Sequence, residues 1–281
     1  TCERGYAFFS KAWKEMKFHC VKLEEVCRQK DAEFLGILND IKYGRNLQNV
    51  IAYLESNQSS DLIEEAPYFV GTNAKADKIN QAHMRALDDK TEKKFYAIIE
   101  GDVTYEDIKN ISYAKQSLVV NIGAKVMLTA NDANGEYVNG TMGTIIDISK
   151  ERGDATCIQV LTDKGKKVDV YRYEREIERQ DIEERKEKGE NGETVTVKKI
   201  VRKIVGSFKQ FPIKIAWALS IHKSQGQTFS QVNIDPQCWD SGQFYVAVSR
   251  AESIEGIHFL APIMKQYIRT LSDEVIKILR E

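Results

Sequence analysis

Several features that would classify a sequence quickly are missing from this one. Across 281 residues the formal net charge is only −1. No uniformly basic surface exists to attract nucleic acid, and any such site must be a local groove. The five cysteines, Cys2, Cys20, Cys27, Cys157 and Cys238, show no Cys-x-x-Cys pairing. An odd count without metal spacing argues for reduced, mostly buried thiols, against a disulfide framework or a zinc module. No apolar run nears the roughly 20 residues that cross a membrane. There is no signal peptide, and the first residue is Thr1, so the chain reads as a piece of something longer. No Gly-x-x-x-x-Gly-Lys-Ser/Thr occurs either. The Gly123-Ala124-Lys125 and Gly165-Lys166 pairs lack the preceding glycine and the following hydroxyl, so the cradle that holds nucleotide β and γ phosphates is not encoded. No acidic pair follows an apolar strand ahead of Arg28 to hold Mg²⁺. No carboxylate cluster has the metal-ligand logic of a nuclease. Low-complexity linkers and internal repeats are absent.

What is present supports a packed core. Hydrophobic residues make up 42% and charged residues 30%, enough for one large or two modest domains. Phe8, Phe9, Ala12, Trp13 and Met16 follow helical spacing with Ser10 as cap, and a strand is expected over 18–23. A helix is expected over 32–43, with Phe34, Leu35, Leu38 and Ile41 on its apolar face, Asp31 as cap and Gly44 as stop. A second helix over 47–54, a polar loop over 56–65, a strand over 68–70 and a helix from 74 to about 87, capped by Asn73, complete the first stretch. From Lys93 the pattern is β-rich to about Phe211, with Asn134-Gly135, Asp163-Lys164-Gly165 and Asn191-Gly192 as turns of a small all-β module. Within it, 174–190 alternates in charge and reads as a helix or as a long ribbon arm. Lys198, Lys199, Arg202, Lys203 and Lys209 form a basic ladder that either follows a nucleic-acid backbone or is offset by the acidic side of the arm. A strand through Phe229, Val232 and Ile234, another over 257–260 and an amphipathic helix over 263–279 close the chain.

The residues with chemical potential concentrate in 215–260. His222-Lys223-Ser224-Gln225-Gly226 is expected to form a polar, cationic helix end that stops on glycine. Arg250 ends an apolar helix that buries Phe244, Val248 and Ala251. An arginine on such a support either offers phosphate a planar, permanently charged fork or simply closes a buried helix at the surface. Trp217-Ala218-Leu219-Ser220-Ile221-His222-Lys223-Ser224-Gln225-Gly226 and Tyr245-Val246-Ala247-Val248-Ser249-Arg250-Ala251 resemble motifs V and VI of superfamily 1 DNA helicases, in the 5′-to-3′ branch of the RecD, Pif and Dda types. Thr228 stands where RecD-type members carry a carboxylate, which points to the Pif-like sub-branch. Arg28-Gln29, at a strand-to-helix junction, resembles motif IV. Thr72-Asn73 resembles the family element whose threonine meets the single strand, although the two residues also suit a plain helix cap. The series Gly123-Ala124-Lys125-Val126-Met127, Asn131-Asp132 and Asn139-Gly140-Thr141-Met142-Gly143 resembles the part of Pif-like helicases that leads into a barrel of the Src-homology-three type.

The resemblance implies an α/β fold, a RecA-like parallel-sheet lobe of the P-loop NTPase type. Its two parts, 1–117 and 212–281, would flank an inserted small β-barrel with a charged arm over 118–211. It implies the C-terminal half of an ATP-dependent 5′-to-3′ DNA helicase. Arg28 and Arg250 would be the catalytic arginines, and Gln29, Gly226 and Arg250 would line the nucleotide. Thr72, Asn73, Ser220, His222, Lys223 and Ser224 would hold single-stranded DNA. ATP and Mg²⁺ would be bound mainly by a missing N-terminal motor lobe, so the chain alone is expected to be inactive, with no metal site of its own. A cytoplasmic or nucleoid-associated location is expected. The alternative is a motor-less module of the same descent that binds nucleic acid or docks a protein through the barrel and the basic ladder.

Overall fold

The computed structural model describes residues 7–16, 18, 21, 28–109, 111, 115–150, 156–188, 194–270 and 275. The strand expected over 18–23 and the Asn191-Gly192 tip fall wholly or almost wholly outside them. Helix α1 (Lys11–Glu15) starts on Ser10, whose hydroxyl accepts from the Trp13 N–H. Helix α2 (Ala32–Tyr43) begins at Asp31, whose carboxylate accepts from the Glu33 and Phe34 N–H groups. It ends at Gly44, with φ of 66°, where a Cβ would stand 2.8 Å from Thr270 Cγ2. Left-handed backbone and close approach both demand glycine there. Helix α3 (Leu47–Asn57) and strand β1 (Tyr68–Val70) follow.

Helix α4 (Asn73–Arg85) corrects one expectation. Thr72, not Asn73, is its cap, with the Thr72 hydroxyl accepting from the Lys75 N–H at 3.2 Å. Asn73 is the first helical residue, and its side-chain oxygen accepts instead from Ser220 Oγ at 2.8 Å. Both residue types cap helices, and the tertiary bond to Ser220 sets the register.

The β-rich middle begins with β2 (Lys93–Tyr96) and β3 (Ile98–Gly101). Helix α5 (Tyr105–Ile108) and strands β4 (Ser117–Val120), β5 (Lys125–Leu128), β6 (Met142–Lys150), β7 (Thr156–Thr162) and β8 (Lys167–Val170) come next. Strands β9 (Tyr173–Lys188) and β10 (Thr194–Gln210) make the arm, and β11 (Ile213–Ile215) closes the module. Strand order is β11-β5-β6-β7-β8 in one sheet and β3-β10-β9 in another, with β2 paired to β4. Pairing therefore extends beyond the expected 118–211, from residue 93 to residue 215. The physical reason is a shared core: Phe211 and Ile213 are buried with Val126, Leu128 and Ile145, and Phe95 packs on Phe211 at 4.9 Å.

The arm is a ribbon, not a helix, because 173–188 finds a full antiparallel partner in 194–210. The basic ladder faces acids across that ribbon: Lys198 lies 3.4 Å from Glu184, Lys203 2.8 Å from Asp181, Arg202 3.8 Å from Glu178 and Lys209 3.4 Å from Glu174. These exposed pairs contribute little stability, but they neutralise the ladder. At the base of the ribbon Arg179 bonds Asp102 and Asp107 at 3.0 and 2.7 Å. Its hydrogen bond, with help from Thr104, holds the Asp107 carboxyl well below the usual carboxylate range.

Strands β12 (Ala218–Ser220) and β13 (Val232–Ile234), helix α6 (Gln243–Val248) and strand β14 (Ile257–Phe259) complete a parallel sheet ordered β12-β1-β13-β14. All its pairings are parallel. Phe34, Phe69, Leu219, Ile234, Phe244 and Val248 fill the core between sheet and helices. Such a sheet, covered on its faces, fits an α/β lobe. The expected closing helix over 263–279 is not helical where it is described up to 270: it holds one 3-10 turn at Lys265–Tyr267.

Asn80 of α4 is buried and does for the edge strand β12 what another strand would do. Its amide donates to Ala218 O at 2.9 Å and accepts from the Ala218 N–H at 2.8 Å. Asn80→Ala leaves both backbone groups buried without partners and is expected to lower stability by about 1–3 kcal/mol. Urea unfolding with an unchanged midpoint would refute that role for Asn80.

Candidate functional site

Two arginines from opposite ends of the chain meet in one place. Arg28 donates from Nε to Thr228 Oγ1 at 2.9 Å and from Nη1 to the Ser249 carbonyl at 2.8 Å. Arg250 donates from Nε to Val246 O at 3.1 Å and from Nη2 to Ser249 Oγ at 3.0 Å. Burial, and secondarily the charge of Arg28, pushes the Arg250 guanidinium below its ordinary value; arginine remains charged nonetheless. Among the described residues every acceptor of these two side chains is uncharged. Among the described residues neither arginine forms an ion pair. Two half-buried cations held side by side on neutral acceptors make a site for an anion, and the fork geometry suits phosphate.

Gln29, expected at the nucleotide, is 4% exposed and has another task. Its amide donates to Ser249 O at 3.0 Å and to Ala251 O at 2.7 Å, gripping the chain on both sides of Arg250. Phe229 adds a backbone bridge, its N–H donating to Arg250 O at 3.0 Å and its carbonyl accepting from the Glu252 N–H at 3.0 Å. Arg28, Gln29, Thr228 and Arg250 thus form one unit, whereas Gly226 is an exposed turn residue with φ of 81° two positions before Thr228.

The expected strand-binding residues gather at the other end of the same segment, where β1 and β12 run out side by side with Val70 opposite Ser220. Thr72 and Asn73 are exposed there, and Ser220 is buried behind Asn73. Beyond Ser220 the chain makes a 3-10 turn over Ile221–Ser224, not the end of an α-helix. His222 and Lys223 are exposed on it, and His222 Nε2 lies 3.8 Å from Asp240 Oδ2. Ser224 is different: it is 0% exposed, and its hydroxyl donates to Ile221 O at 2.7 Å. Burial closes the turn with that hydroxyl and leaves it no free surface for a strand.

Residues 220–228 therefore run from the strand side to the arginines. On the way Gln227 touches the β module, its amide donating to Met127 Sδ at 3.2 Å and abutting Gly140. Sequence reasoning missed Asn80, Gln227 and Gln243 as connectors, since an isolated polar residue carries no signal of the backbone group it will meet. It also missed Lys214, half-buried on β11 beside Lys223. Burial, and then the neighbouring Lys223 amine, pushes the Lys214 amine down to about 7, with Asp77 acting the other way. Between pH 7 and the ordinary lysine range of about 10.4, the unfolded chain carries a proton at 214 that the folded chain does not, so stability rises with pH across that window. Lys214→Met is expected to flatten the rise by about 1 kcal/mol or more between pH 7 and 9.5. Parallel pH profiles of the urea midpoint in both proteins would contradict it.

No protein-family model matches the chain. Among curated proteins it is similar to the ATP-dependent DNA helicase Pif1 of Bdellovibrio bacteriovorus, 30% identical over 263 residues that cover 92% of this chain and 54% of that protein. Among solved structures it is similar to unliganded Pif1 from Bacteroides sp., with a TM-score of 0.75 and 28% identity over 97% of this chain and 59% of that one. The Bacteroides protein has also been solved with ADP-AlF4 and with single-stranded DNA, matching with TM-scores of 0.74 and 0.65. Pif1 helicase from Candida albicans matches with a TM-score of 0.71 and 26% identity, over 98% of this chain and 64% of that one. In sequence and in fold alike, the chain is similar to Pif1 helicases, and it spans about half the length of the relatives it matches.

Proposed function

We propose that this chain is the second motor lobe, with its inserted β module, of an ATP-dependent 5′-to-3′ DNA helicase. The observation that carries the reading is the Arg28–Arg250 pair, held on neutral acceptors and joined through 220–228 to the strand side. The relatives' names and the ADP-AlF4 and single-strand complexes of the Bacteroides protein support it. ATP, when bound between the lobes, supplies the phosphoryl group. Arg28 and Arg250 meet its γ-phosphate and stabilise the charge that spreads over the equatorial oxygens during transfer. Gln29 and Thr228 keep the two forks in place. In this reading Mg²⁺ and the phosphate loop belong to an N-terminal lobe.

On the other side, Thr72, Asn73, His222 and Lys223 hold the single-strand backbone, with Ser220 positioning Asn73 from behind. Lobe closure around ATP moves this grip relative to the first lobe, and release on hydrolysis resets it. The motor-less alternative finds less support, because the basic ladder on which it leaned is paired with acids along the ribbon.

The test separates the two faces. In the full-length protein Arg250→Ala is expected to lower DNA-stimulated ATP turnover by roughly 10³–10⁵, with nucleotide-free strand binding nearly intact. Arg250→Lys should not restore turnover, since an ammonium lacks the bidentate fork. His222→Ala should do the reverse, weakening strand binding more than nucleotide affinity. Turnover within about twofold of the parent in Arg250→Ala, with strand binding abolished, would overturn the assignment.

A further inference from the structure

Trp239 is 64% exposed, against 38% for Trp13 and 9% for Trp217. It lies in the loop between β13 and α6, yet it is fixed. Its backbone N–H donates to Gln243 Oε1 at 2.7 Å, and its backbone carbonyl accepts from Arg269 Nη1 at 2.8 Å. The pyrrole edge of the indole rests on Gly71, where a Cβ would stand 3.0 Å from Cδ1 and 3.3 Å from Nε1. Gln243 is itself buried, and its amide donates to Gly71 O at 3.0 Å. One side chain thus pins both the tryptophan loop and the residue beneath the ring.

The location matters as much as the rigidity. Gly71 leads directly into the Thr72 cap of α4, and the residue after Trp239, Asp240, faces His222. The ring therefore stands among the groups assigned to the strand backbone. Its exposed chain neighbours Gln237, Asp240 and Ser241 are polar, and Cys238 between them is buried, so no exposed apolar run along the loop continues from it to suit a protein partner. A nucleobase requires only an open π-face beside a phosphate contact.

We propose that Trp239 is a base-stacking platform, on which one base of a single strand lies while the flanking phosphates are held at Thr72 and at His222-Lys223. This rests on the strand-binding reading above and adds the group that grips a base rather than the backbone. Stacking is indifferent to base identity, so the platform serves passage along any sequence.

The test uses this chain at low salt with a short oligothymidylate and with the same oligomer carrying abasic sites. Strand binding should quench tryptophan emission, and Trp239→Phe should remove most of that quench while binding within a few fold of the parent. Trp239→Ala should weaken binding to the intact oligomer by about 5- to 100-fold without changing the salt slope, because no ionic contact is lost. On the abasic oligomer parent and Trp239→Ala should bind alike. Equal affinity of Trp239→Ala and parent for the intact oligomer overturns the platform and leaves the strand reading standing. So does an equal loss on both oligomers with the quench surviving in Trp239→Phe. Absence of any strand binding by the parent overturns both.

Discussion

The buried amide of Gln29 is the contact on which the arrangement depends. It donates to Ser249 O and Ala251 O, and so binds the start of the chain to a point 220 residues further on. It helps hold Arg28 beside Arg250 against the repulsion of like charges at close range. The hydrogen bonds of Arg28 to Ser249 O and Thr228 Oγ1 complete the clamp. All these acceptors are neutral, so the pair keeps its full charge for an incoming anion. A carboxylate at 228 in place of threonine would pair with Arg28 and compete with that anion.

A second consequence follows from how short the connecting segment is. From Ser220, which bonds Asn73 on the strand side, to Thr228, which bonds Arg28, there are nine residues with both ends included, and Gln227 among them touches Met127 of the β module. In the proposed function, motion of the arginine cluster by a nucleotide would be transmitted along this segment by covalent connection, and the packed core beneath it, with Ile221 and Ser224 buried, would resist bending. The proposed coupling of ATP turnover to strand movement is thus placed in one stretch with three anchors.

Local chemistry made much of this legible. Asp31 and Gly44 mark the ends of α2 to the residue, because an acceptor at the cap and a left-handed stop each act within one turn. The two arginines and the segment around His222 stood out by motif. What stayed hidden was non-local. Alternating charge over 174–190 suits a helix or a ribbon equally, and only pairing with 194–210 decides it. Thr72 and Asn73 are interchangeable as caps until Ser220 engages Asn73. The enclosed positions of Gln29 and Ser224 depend on backbone carbonyls that no sequence period announces. The β module draws in Phe95 and Ile213 from outside its expected limits because its core needs their apolar area.

The central claim is that Arg28 and Arg250 act as one phosphate-binding unit. A double-mutant cycle of Arg28→Ala and Arg250→Ala on DNA-stimulated ATP turnover, in the full-length protein, tests it most directly. Groups that act as a unit are strongly non-additive, so the account predicts that the double variant is little slower than the worse single variant. Losses that multiply, or a single variant with turnover near that of the parent, would contradict it.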